Sequence, residues 1–401
     1  MTTLEIVLGS TVAIGVLLAM AMCFSQRALL RASPPPEPSE LPPISILKPL
    51  KGVDADLQEN LRTFFKLDYP SYEIILGAED PDDPVLLVAR GVAEENPHVR
   101  SAVISDKSAV GLNPKVNNLA NLIRRARHPL ILISDSNIRV RPGYLRDLVA
   151  HRARSKAALV WSLFRGMETR GLGAILESFQ LNTFVMGGVC GITKILKLPC
   201  AVGKSMLLHR EDLRLIGGFE FLSKFLAEDQ ICAEELAVRG RPVAVSSYVI
   251  DNVLGRRTLG EFMSRHLRWA RLRRHVNLAG YLGEALLNPV FLAILWAIIV
   301  RRPLVWAGAG GILALTSLLD AGAERAAGVR RSLLLYPVLE LLLSIARGLL
   351  WFVPLFSRTL VWRSNVIRIG PRSRIELKRA AVVAATEPQP IFGTRGRHAA
   401  A

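Results

Sequence analysis

The sequence predicts an α/β fold: a doubly wound, mostly parallel β-sheet with one N-terminal transmembrane helix and about three C-terminal membrane segments. From residue 44 onward, short apolar runs alternate with amphipathic helical patterns, which is typical of sheets built from β-α-β units. A long uncharged run lies near the N-terminus, and three more apolar runs follow residue 284. Half of the 401 residues are hydrophobic, and their clustering into long runs indicates a membrane protein.

The first element is the run of nineteen uncharged residues at positions 6–24. As a helix it would be roughly 28 Å long, close to the ~30 Å thickness of the hydrocarbon core. No basic residue precedes it, so a cleaved signal peptide is disfavoured. Arg27 and Arg31 follow it, which places its C-terminal end in the cytoplasm. We therefore predict an anchor over residues 1–31 and an extended, proline-rich linker over residues 32–43.

The next element is a cytoplasmic α/β domain, predicted over residues 44–280. Its strands are the apolar run that begins at residue 44 and those at 72–78, 102–105, 129–134, 159–163 and 204–209. Ligands of such sheets bind outside the carboxyl ends of the strands. Acidic clusters at residues 79–83 and 135–137 both follow strands, so the sequence predicts the binding site at this edge.

Residues 172–202 form an unusually apolar segment of this domain, interrupted by glycines and Pro199. Two interpretations fit it. It is either a core helix followed by a loop, or an interfacial segment where a lipid enters.

The C-terminal membrane segments are predicted within residues 281–358, from apolar runs at 285–300, 303–319 and 332–356. The third run carries Glu340 and Arg347 on one helix face, and a charged pair at that depth should face protein or a cavity. Three spans would put the basic tail, residues 359–401, outside, whereas its arginines favour the cytoplasm. A segment that folds back or lies in the interface would reconcile the two. From residue 386 the tail is predicted to be disordered.

Charge and cysteine content narrow the class of partner. The net charge is +17, and many arginines flank apolar runs, as the positive-inside rule describes. The sequence has no zinc-ligand spacing and no aromatic-basic RNA motif, so no nucleic-acid partner is predicted. The four cysteines have no paired spacing and lie in or near apolar runs, which predicts buried free thiols.

Two polar clusters are candidates for chemistry. Glu228 and Asp229 form an acidic pair, and residues 265–269 read Arg-His-Leu-Arg-Trp. A carboxylate can take a proton, while guanidinium groups can hold a diphosphate bidentately beside an indole. Together they suit a reaction with an anionic leaving group. The alternative is a surface ion pair followed by the basic edge of a membrane anchor.

Several separated motifs resemble those of the ceramide glucosyltransferase family over nearly the whole chain. They are residues 46–54 (ILKPLKGVD), 64–70 (FFKLDYP), 79–84 (EDPDDP), 113–118 (NPKVNN), 134–140 (SDSNIRV), 227–229 (AED) and 265–269 (RHLRW). The resemblance implies a GT-A fold and an inverting transfer of a hexose from a UDP-sugar to the hydroxyl of a membrane lipid. The implied partners are therefore a UDP-sugar donor, a lipid acceptor and the bilayer of a bacterial inner membrane.

The resemblance also implies roles for particular residues. Asp229 matches the catalytic base, and Asp135 matches the aspartate near the diphosphate and a divalent metal, Mg²⁺ or Mn²⁺. The other predicted substrate-binding residues are Lys51, Asp80, Asp83, Lys115, Asn137, Glu228, Arg265, Arg268 and Trp269. Residues 135–137 read Asp-Ser-Asn rather than Asp-x-Asp, so one carboxylate ligand for such a hard cation is missing.

Three alternatives stay open. A His-Pro element of the animal members is absent, and residues 182–188 (NTFVMGG) stand in its region. Together with residues 202–206 (VGKSM), this resembles bacterial relatives that add an N-acetylglucosamine-type sugar to a hopanoid, a sterol-like lipid. A processive polysaccharide synthase shares the aspartate motifs but needs a translocation channel. A non-catalytic scaffold would be expected to have lost Asp229 or the Arg-Trp cluster.

Overall fold

The structure, a computed structural model, describes residues 2–54, 56–357, 359–362 and 365–377. The predicted disordered end from residue 386, and Arg358 and Arg363 of the predicted tail, lie outside the described residues. The helices are α1 (Thr3–Leu30), α2 (Leu57–Phe64), α3 (Val85–Glu94), α4 (Pro114–Ile123), α5 (Tyr144–Ser155), α6 (Leu172–Gln180), α7 (Met186–Gly191), α8 (Arg210–Leu215), α9 (Gly218–Leu222), α10 (Glu228–Val238), α11 (Leu259–Val276), α12 (Leu278–Gly283), α13 (Pro289–Val300), α14 (Pro303–Ala326) and α15 (Leu335–Phe356). π-Helical stretches, Leu181–Val185 and Ile192–Leu196, follow α6 and α7, and 3₁₀ turns span Glu284–Leu287 and Pro371–Ser373.

The strands form two sheets. They are β1 (Ile44–Pro49), β2 (Tyr72–Ala78), β3 (Ser101–Ser105), β4 (Leu130–Ser134), β5 (Ile138–Arg139), β6 (Leu159–Arg170), β7 (Ser205–His209), β8 (Val243–Arg256), β9 (Thr359–Trp362), β10 (Asn365–Ile369) and β11 (Ile375–Leu377). The large sheet has the order β3-β2-β1-β4-β7-β6-β8-β5, and a small one has the order β11-β10-β9.

The large sheet is the predicted, mostly parallel one. β1 pairs in parallel with β2 and β4, with Ile46 opposite Ile74 and Leu132. β7 is antiparallel to both β4 and β6, and β6 runs parallel to β8. Ile44, Ile46 and Leu47 of β1 have no exposed surface, because helices cover both faces of the sheet.

Two hydrophobic layers flank this sheet. On one face, Phe64, Leu86 and Leu145 bring α2, α3 and α5 against the strands. On the other face, Leu119 of α4 and Ile231 of α10 pack against Leu159 and Leu208. Burying each such side chain contributes about 1.5–3 kcal/mol. The predicted fold class is therefore correct, whereas the domain boundaries stay a prediction.

Four helices are long and apolar enough to cross a membrane, counted over the described residues: α1, the segment Leu172–Leu196, α14 and α15. A fifth span arises if Leu278–Leu287 and Pro289–Val300, which meet at 67°, are one broken span. Inside the segment Leu172–Leu196, 67% of the apolar window is buried by the rest of the protein. The core-helix interpretation therefore holds for most of this segment.

The membrane helices are tied to one another by polar contacts. At one end of α1, Glu5 Oε1 lies 3.1 Å from Arg302 Nη2. Towards the other end, the Cys23 thiol donates to the Leu319 carbonyl of α14 at 3.3 Å. Within α15, Arg347 Nη2 lies 3.5 Å from Glu340 Oε1, and Glu340 is buried, which confirms the predicted inward-facing pair. All four cysteines are free and buried, as predicted.

α15 runs beside α11 over its length and meets α12 near its end. Phe262 of α11 packs in one cluster with Tyr336 and Leu343 near the start of α15. Beyond the end of α15, Arg271 Nη2 donates to Ser357 Oγ at 3.4 Å. α12 then runs back along α15, where the Tyr281 hydroxyl donates to the Trp351 carbonyl at 2.7 Å. α15 thus packs along α11 on one side and against α14 and α13 on the other, and α13 and α14 also pack along α1.

Candidate active site

A cleft of about 390 Å³ lies where β1, β2 and β4 end. It is lined by loop residues that follow these strands, by the start of α4, and by arginines at and before α11. Seven of the predicted site residues line it: Lys51, Asp80, Asp83, Lys115, Asp135, Asn137 and Arg265. The cleft therefore occupies the edge that the sequence predicts, because the carboxyl ends of parallel strands open on the same side.

Asp135 lies at the centre of the polar contacts in this cleft. Its Oδ1 is 3.0 Å from Lys115 Nζ, and its Oδ2 is 2.9 Å from Lys204 Nζ. Lys204 Nζ also donates to Asn137 Oδ1 at 3.1 Å. Asn137 Nδ2 in turn donates to Asn252 Oδ1 of β8 at 2.9 Å, which fixes the orientation of the amide. The carboxylate thus lies between two ammonium groups.

The acidic pair begins α10 on the far side of Lys115. Glu228 Oε1 lies 3.1 Å from Lys115 Nζ. Asp229 Oδ2 accepts a hydrogen bond of 2.6 Å from the Gly203 amide, and its Oδ1 accepts one from Gln230 N at 2.8 Å. Carboxylates in the first turn of a helix are stabilised by the helix dipole. Lys115 therefore lies between Asp135 and the acidic pair.

Burial and charge shift the pKa values of these groups in different directions. For Asp135, burial alone would raise the pKa, but the Lys115 and Lys204 ammonium groups hold it well below its usual range. For Lys115, burial opposes the charge, yet Asp135, Glu228 and Asp229 raise the pKa above its usual value. Burial lowers the pKa of Lys204 and raises that of Glu228, in each case against the ion pair it makes.

Gly203 is packed tightly against this cluster. A Cβ atom at residue 203 would lie 3.1 Å from both Asp229 Oδ2 and Lys115 Nζ. The Gly203 carbonyl accepts a hydrogen bond from Lys115 Nζ at 3.3 Å. The backbone at residue 203 thus contacts both charged groups, and a side chain there would displace them.

The arginine side of the cleft is organised by Glu177 of α6. Its carboxylate is fully buried, and its two oxygens each lie 3.0 Å from a guanidinium Nε, one of Arg257 and one of Arg265. The Arg265 guanidinium also lies 5.1 Å from the centre of the Trp269 ring, a cation–π contact. A shared carboxylate and an aromatic face therefore hold Arg265 in place beside the cleft.

The remaining members of the Arg-Trp motif have other surroundings. Trp269 packs against the hydrophobic layer over β1, and Arg268 is half-buried on α11. Within the described residues, neither belongs to the lining of the cleft. His266 is buried against the Phe262 and Trp269 rings, and burial lowers its pKa to about 3, so it is neutral at physiological pH.

The first acidic cluster shapes the cleft wall. Asp83 Oδ2 accepts from the Gly52 amide at 2.9 Å, and its Oδ1 accepts from Val85 N at 3.0 Å. Asp83 thereby joins the loop after β1 to the start of α3. Asp80 is more exposed and lies 3.4 Å from Lys107 Nζ. Of the two aspartates, Asp80 is the freer to meet a ligand.

This site offers few oxygen ligands for a divalent cation. Asp135 supplies one carboxylate, and Asn137 Oδ1 is a second oxygen nearby. Over the described part of the chain, no group of three or more His, Cys, Asp or Glu side chains could hold a metal ion. Mg²⁺ usually binds one or two carboxylates together with phosphate oxygens and water. These residues therefore fit a metal that arrives with a diphosphate better than one held by protein alone.

Four residues of this site were not predicted as site residues: Lys48, Glu177, Lys204 and Arg257. Lys48 is fully buried, and its Nζ donates to the Asp135 carbonyl at 2.9 Å. It lies in the same motif as Lys51, so a charged residue inside an otherwise apolar strand could have revealed it. Glu177, Lys204 and Arg257 had no such signal, because their partners lie far away in the sequence.

Comparisons with known proteins give a consistent result. A family model described as "Glycosyl transferase family 21" matches residues 8–375. The chain is 31% identical over 244 residues to ceramide glucosyltransferase 1 of Caenorhabditis elegans, covering 59% of this chain and 51% of that relative. It is 28% identical over 324 residues to the ceramide glucosyltransferase of Komagataella phaffii, covering 65% and 61%. The chain thus spans about half the length of the worm relative and less than two thirds of the yeast relative.

A solved structure supports the fold. The mannosyltransferase PcManGT from Pyrobaculum calidifontis, in complex with GDP-Man and Mn²⁺, superimposes with a TM-score of 0.50 at 16% identity. The superposition covers 86% of this chain and 99% of that one. At this identity the likeness is one of fold, and it confirms the predicted GT-A-type architecture.

Proposed function

Because the chain belongs to glycosyl transferase family 21, we propose that it moves a hexose from a UDP-sugar onto a hydroxyl group of a membrane lipid, with inversion at the anomeric carbon. One observation carries the proposal. Asp229 and Lys115 both hydrogen-bond to the Gly203 backbone, and ion pairs join Lys115, Asp135 and Lys204 beside the cleft where the strands end. A base and cations for an anionic leaving group are thus side by side.

We assign the diphosphate and the nucleoside of the sugar donor to opposite ends of the cleft. The diphosphate lies towards Lys204, Arg265 and Arg257, since cationic side chains are the natural partners of phosphate oxygens. The nucleoside lies towards Lys51, Asp80 and Asp83, on the loops after β1 and β2. Arg268 and Trp269 lie on α11 behind Arg265 and serve the acceptor side and the packing of that helix.

In the proposed reaction, the lipid oxygen attacks the anomeric carbon as the bond from that carbon to the diphosphate oxygen breaks. Asp229 takes the hydroxyl proton, and UDP leaves with the electron pair of the broken bond. Lys204 and Arg265 stabilise the charge that develops on the diphosphate. A positioned base contributes typically about 10²–10⁴-fold to the rate.

A divalent cation fits this scheme as an ion that is bound to the diphosphate of the sugar donor. Asp135, with Asn137 as a second oxygen, would hold Mg²⁺ or Mn²⁺ that arrives on the diphosphate. When bound, the metal would neutralise part of the diphosphate charge. Binding would require Lys115 or Lys204 to release one carboxylate oxygen, so these lysines are expected to move towards the phosphates.

The acceptor is proposed to be a ceramide-type lipid. The named relatives are ceramide glucosyltransferases, and the Arg265 side of the cleft borders the helices that the membrane would surround. A hopanoid is the second candidate, because Asn182 stands in the region of the absent His-Pro element. Asn182 is fully buried, donates to Glu324 Oε1 and accepts from the Gly166 amide.

The sheet is proposed to lie on the cytoplasmic side of the membrane, because Arg27 and Arg31 follow the apolar part of α1.

The testing experiment measures transfer of radiolabelled sugar from a panel of UDP-sugars to separated ceramide and hopanoid fractions. Membranes that contain the protein are assayed with and without a chelator. Label in the ceramide fraction is the expected result, and label in the hopanoid fraction alone would select the second acceptor. Label in a growing polymer would indicate a synthase, and no transfer from any donor would overturn the proposal.

A further inference from the structure

A second pocket of about 410 Å³ lies behind the candidate active site. We call it the rear pocket and define it by Leu29, Trp161, Leu198, Cys200 and Val243, with Lys194 and Lys197 at its rim. Its volume falls within the roughly 300–1,000 Å³ typical of pockets for small molecules. Most of its wall is apolar, so it suits a hydrocarbon chain better than a polar metabolite.

The rim of the rear pocket has the character of a membrane-binding surface. Ile195, Leu196 and Leu198 are 55%, 60% and 52% exposed, although they are large and apolar. Lys194 and Lys197 are exposed between them, and within the described residues neither has a carboxylate partner. Apolar side chains mixed with lysines are typical of segments that lie in a bilayer interface.

The position of the rim along α1 supports the same location. Leu29 lines the rear pocket and follows Phe24, the last residue of the uncharged run, by five positions. Five residues of helix rise about 7.5 Å. The headgroup layer on each side of a bilayer is about 5–8 Å thick. The rim therefore lies at headgroup depth if the uncharged run fills the hydrocarbon core.

We propose that the rear pocket binds one anionic phospholipid of the bilayer. One acyl chain lies against the apolar wall, and the headgroup phosphate contacts Lys194 and Lys197. Charge complementarity selects this ligand over a neutral lipid, since lysines near an anionic surface each strengthen binding about fivefold. The rear pocket is distinct from the cleft, because no residue lines both of them.

Occupancy of the rear pocket has a consequence for the candidate active site. Gln230 follows Asp229 and donates to the Pro199 carbonyl at 3.1 Å, while it accepts from Ala201 N at 3.4 Å. The loop of residues 199–203 therefore has the rear pocket on one side and the predicted base on the other. A bound lipid would support this loop and raise turnover. This consequence rests on the proposed function, whereas the binding itself does not.

The test uses the full chain in nanodiscs of neutral phospholipid, titrated with phosphatidylglycerol that carries brominated acyl chains. Bromine quenches tryptophan fluorescence at close range, and the difference between wild type and Trp161→Phe isolates the signal from the pocket. Saturable quenching of Trp161 is expected with the anionic lipid and not with brominated phosphatidylcholine. The double variant Lys194→Gln/Lys197→Gln should need roughly tenfold more anionic lipid, or more, for the same quenching.

The matched control is Lys66→Gln/Lys224→Gln, which removes the same charge from exposed lysines elsewhere and should titrate like wild type. Equal quenching by both lipid classes, or no difference between the two double variants, would overturn the proposal. Displacement of the quencher by a neutral ceramide would assign the rear pocket to the acceptor and overturn the anionic-lipid assignment. Turnover measured in the same nanodiscs separates the two proposals, because quenching can persist in a chain that transfers no sugar.

Discussion

At the scale of single residues, Asp229 has surroundings that suit a base. Both of its oxygens accept backbone hydrogen bonds, from Gly203 and Gln230, and these fix the carboxylate without neutralising it. The Asp229→Asn variant keeps the size of the side chain but cannot take a proton. We expect UDP binding within about threefold of wild type and transfer reduced by at least ~10²-fold.

The measurements for this variant are calorimetric binding of UDP and product formation with the labelled donor. Glu94→Gln, an exposed carboxylate on α3, is the control and should behave like wild type in both. Full turnover by Asp229→Asn would remove it from the role of base.

The ion pairs of Asp135 lead to a prediction about how the stability of the folded protein depends on pH. Its folded pKa lies below the ordinary value of about 3.9, so its stabilising effect is complete above that value and is lost as the pH falls towards the folded pKa. Asp135→Asn leaves Lys115 and Lys204 without this carboxylate, which costs about 3 kcal/mol at neutral pH. We expect a melting temperature in detergent roughly 5–10 °C below wild type at pH 7.

The difference between wild type and Asp135→Asn should stay constant from pH 7 to about pH 5 and shrink below about pH 4. The thermal measurement is repeated at each pH with both proteins. A difference that grows as the pH falls would contradict the assigned ion pairs.

We also propose that this carboxylate binds the metal. Because the cleft offers few oxygen ligands among the described residues, Mn²⁺ should bind weakly to the protein alone and much more tightly when UDP is present. Electron paramagnetic resonance of free Mn²⁺, with and without UDP, measures this directly. Asp135→Asn should abolish the UDP-dependent uptake, whereas tight binding without nucleotide would contradict the shared site.

Which site residues the sequence reveals depends on how local their signal is. Asp135 and Asp229 lie in motifs that follow a strand and begin a helix, so their placement could be predicted. Lys204 could not, because its partner Asp135 lies on another strand-end loop and nothing near Lys204 in the sequence indicates the contact. Glu177 is hidden for the same reason, since it lies in an apolar run and meets Arg257 and Arg265 only in the folded chain.

At the scale of elements, the segment after β10 is attached to the loop that precedes α10. Ile375 N donates to the Lys224 carbonyl at 2.8 Å, and Leu226 N donates to the Ser373 carbonyl at 3.0 Å. Ser373 Oγ accepts from Ala227 N at 3.1 Å. Arg372 Nη2 lies 2.8 Å from Glu235 Oε1 of α10. These contacts fix the start of the helix that carries Glu228 and Asp229.

A chain that ends after Gly370 should therefore keep donor binding but lose turnover. Each lost hydrogen bond is worth about 1 kcal/mol, and a displacement of a reacting group by ~1 Å can cost about 10²-fold in rate. We expect kcat to fall at least tenfold and the KM for the donor to change less than about threefold. A chain that ends after Leu377 keeps these contacts and should be unaffected; an equal loss in both would place the effect elsewhere.

The strands show the limits of pattern reading at this scale. The predicted runs near residues 44, 72 and 130 form central strands because they are mostly apolar and buried. β8 was not predicted, although it is the longest strand that the structure describes. Its sequence contains Ser246, Asp251 and Asn252, and Ser246 and Asn252 are buried because they find hydrogen-bond partners across the fold. Polar residues whose hydrogen-bond partners lie far away in the sequence interrupt the alternation of apolar and polar residues. Such a strand cannot be recognised from its own sequence.

At the scale of the whole molecule, the contacts lead to a prediction about the side of the membrane on which the C-terminal segments end. Residues 372–375 bond to the loop before α10, so we expect them on the same side of the membrane as the sheet. Arg302 reaches the opposite end, where it meets Glu5 of α1. We therefore expect α13 and α14 to cross the membrane and return. α15 would then begin and end on the side of the sheet, and we propose that it is the segment that lies in the interface.

This arrangement predicts the labelling of introduced cysteines by a membrane-impermeant maleimide. The native thiols are buried, so background labelling should be low. In intact cells Leu304→Cys, 82% exposed after Arg302, should be labelled, whereas Glu94→Cys and Glu376→Cys should not. Vesicles of inverted orientation should give the reverse pattern. Labelling of residue 376 from the same side as residue 304 would require α15 to be a span.

The family resemblance drawn from the motifs is confirmed by the match over residues 8–375.

The attachment of residues 371–377 to the loop before α10 has a consequence for synthesis. This stretch leaves the ribosome after α13, α14 and α15, whereas the strands that carry the cleft leave it long before. The loop at residues 224–227 can gain its last hydrogen bonds only after all three C-terminal helices have been synthesised. We therefore expect a nascent chain to complete its candidate active site only after these helices have left the ribosome.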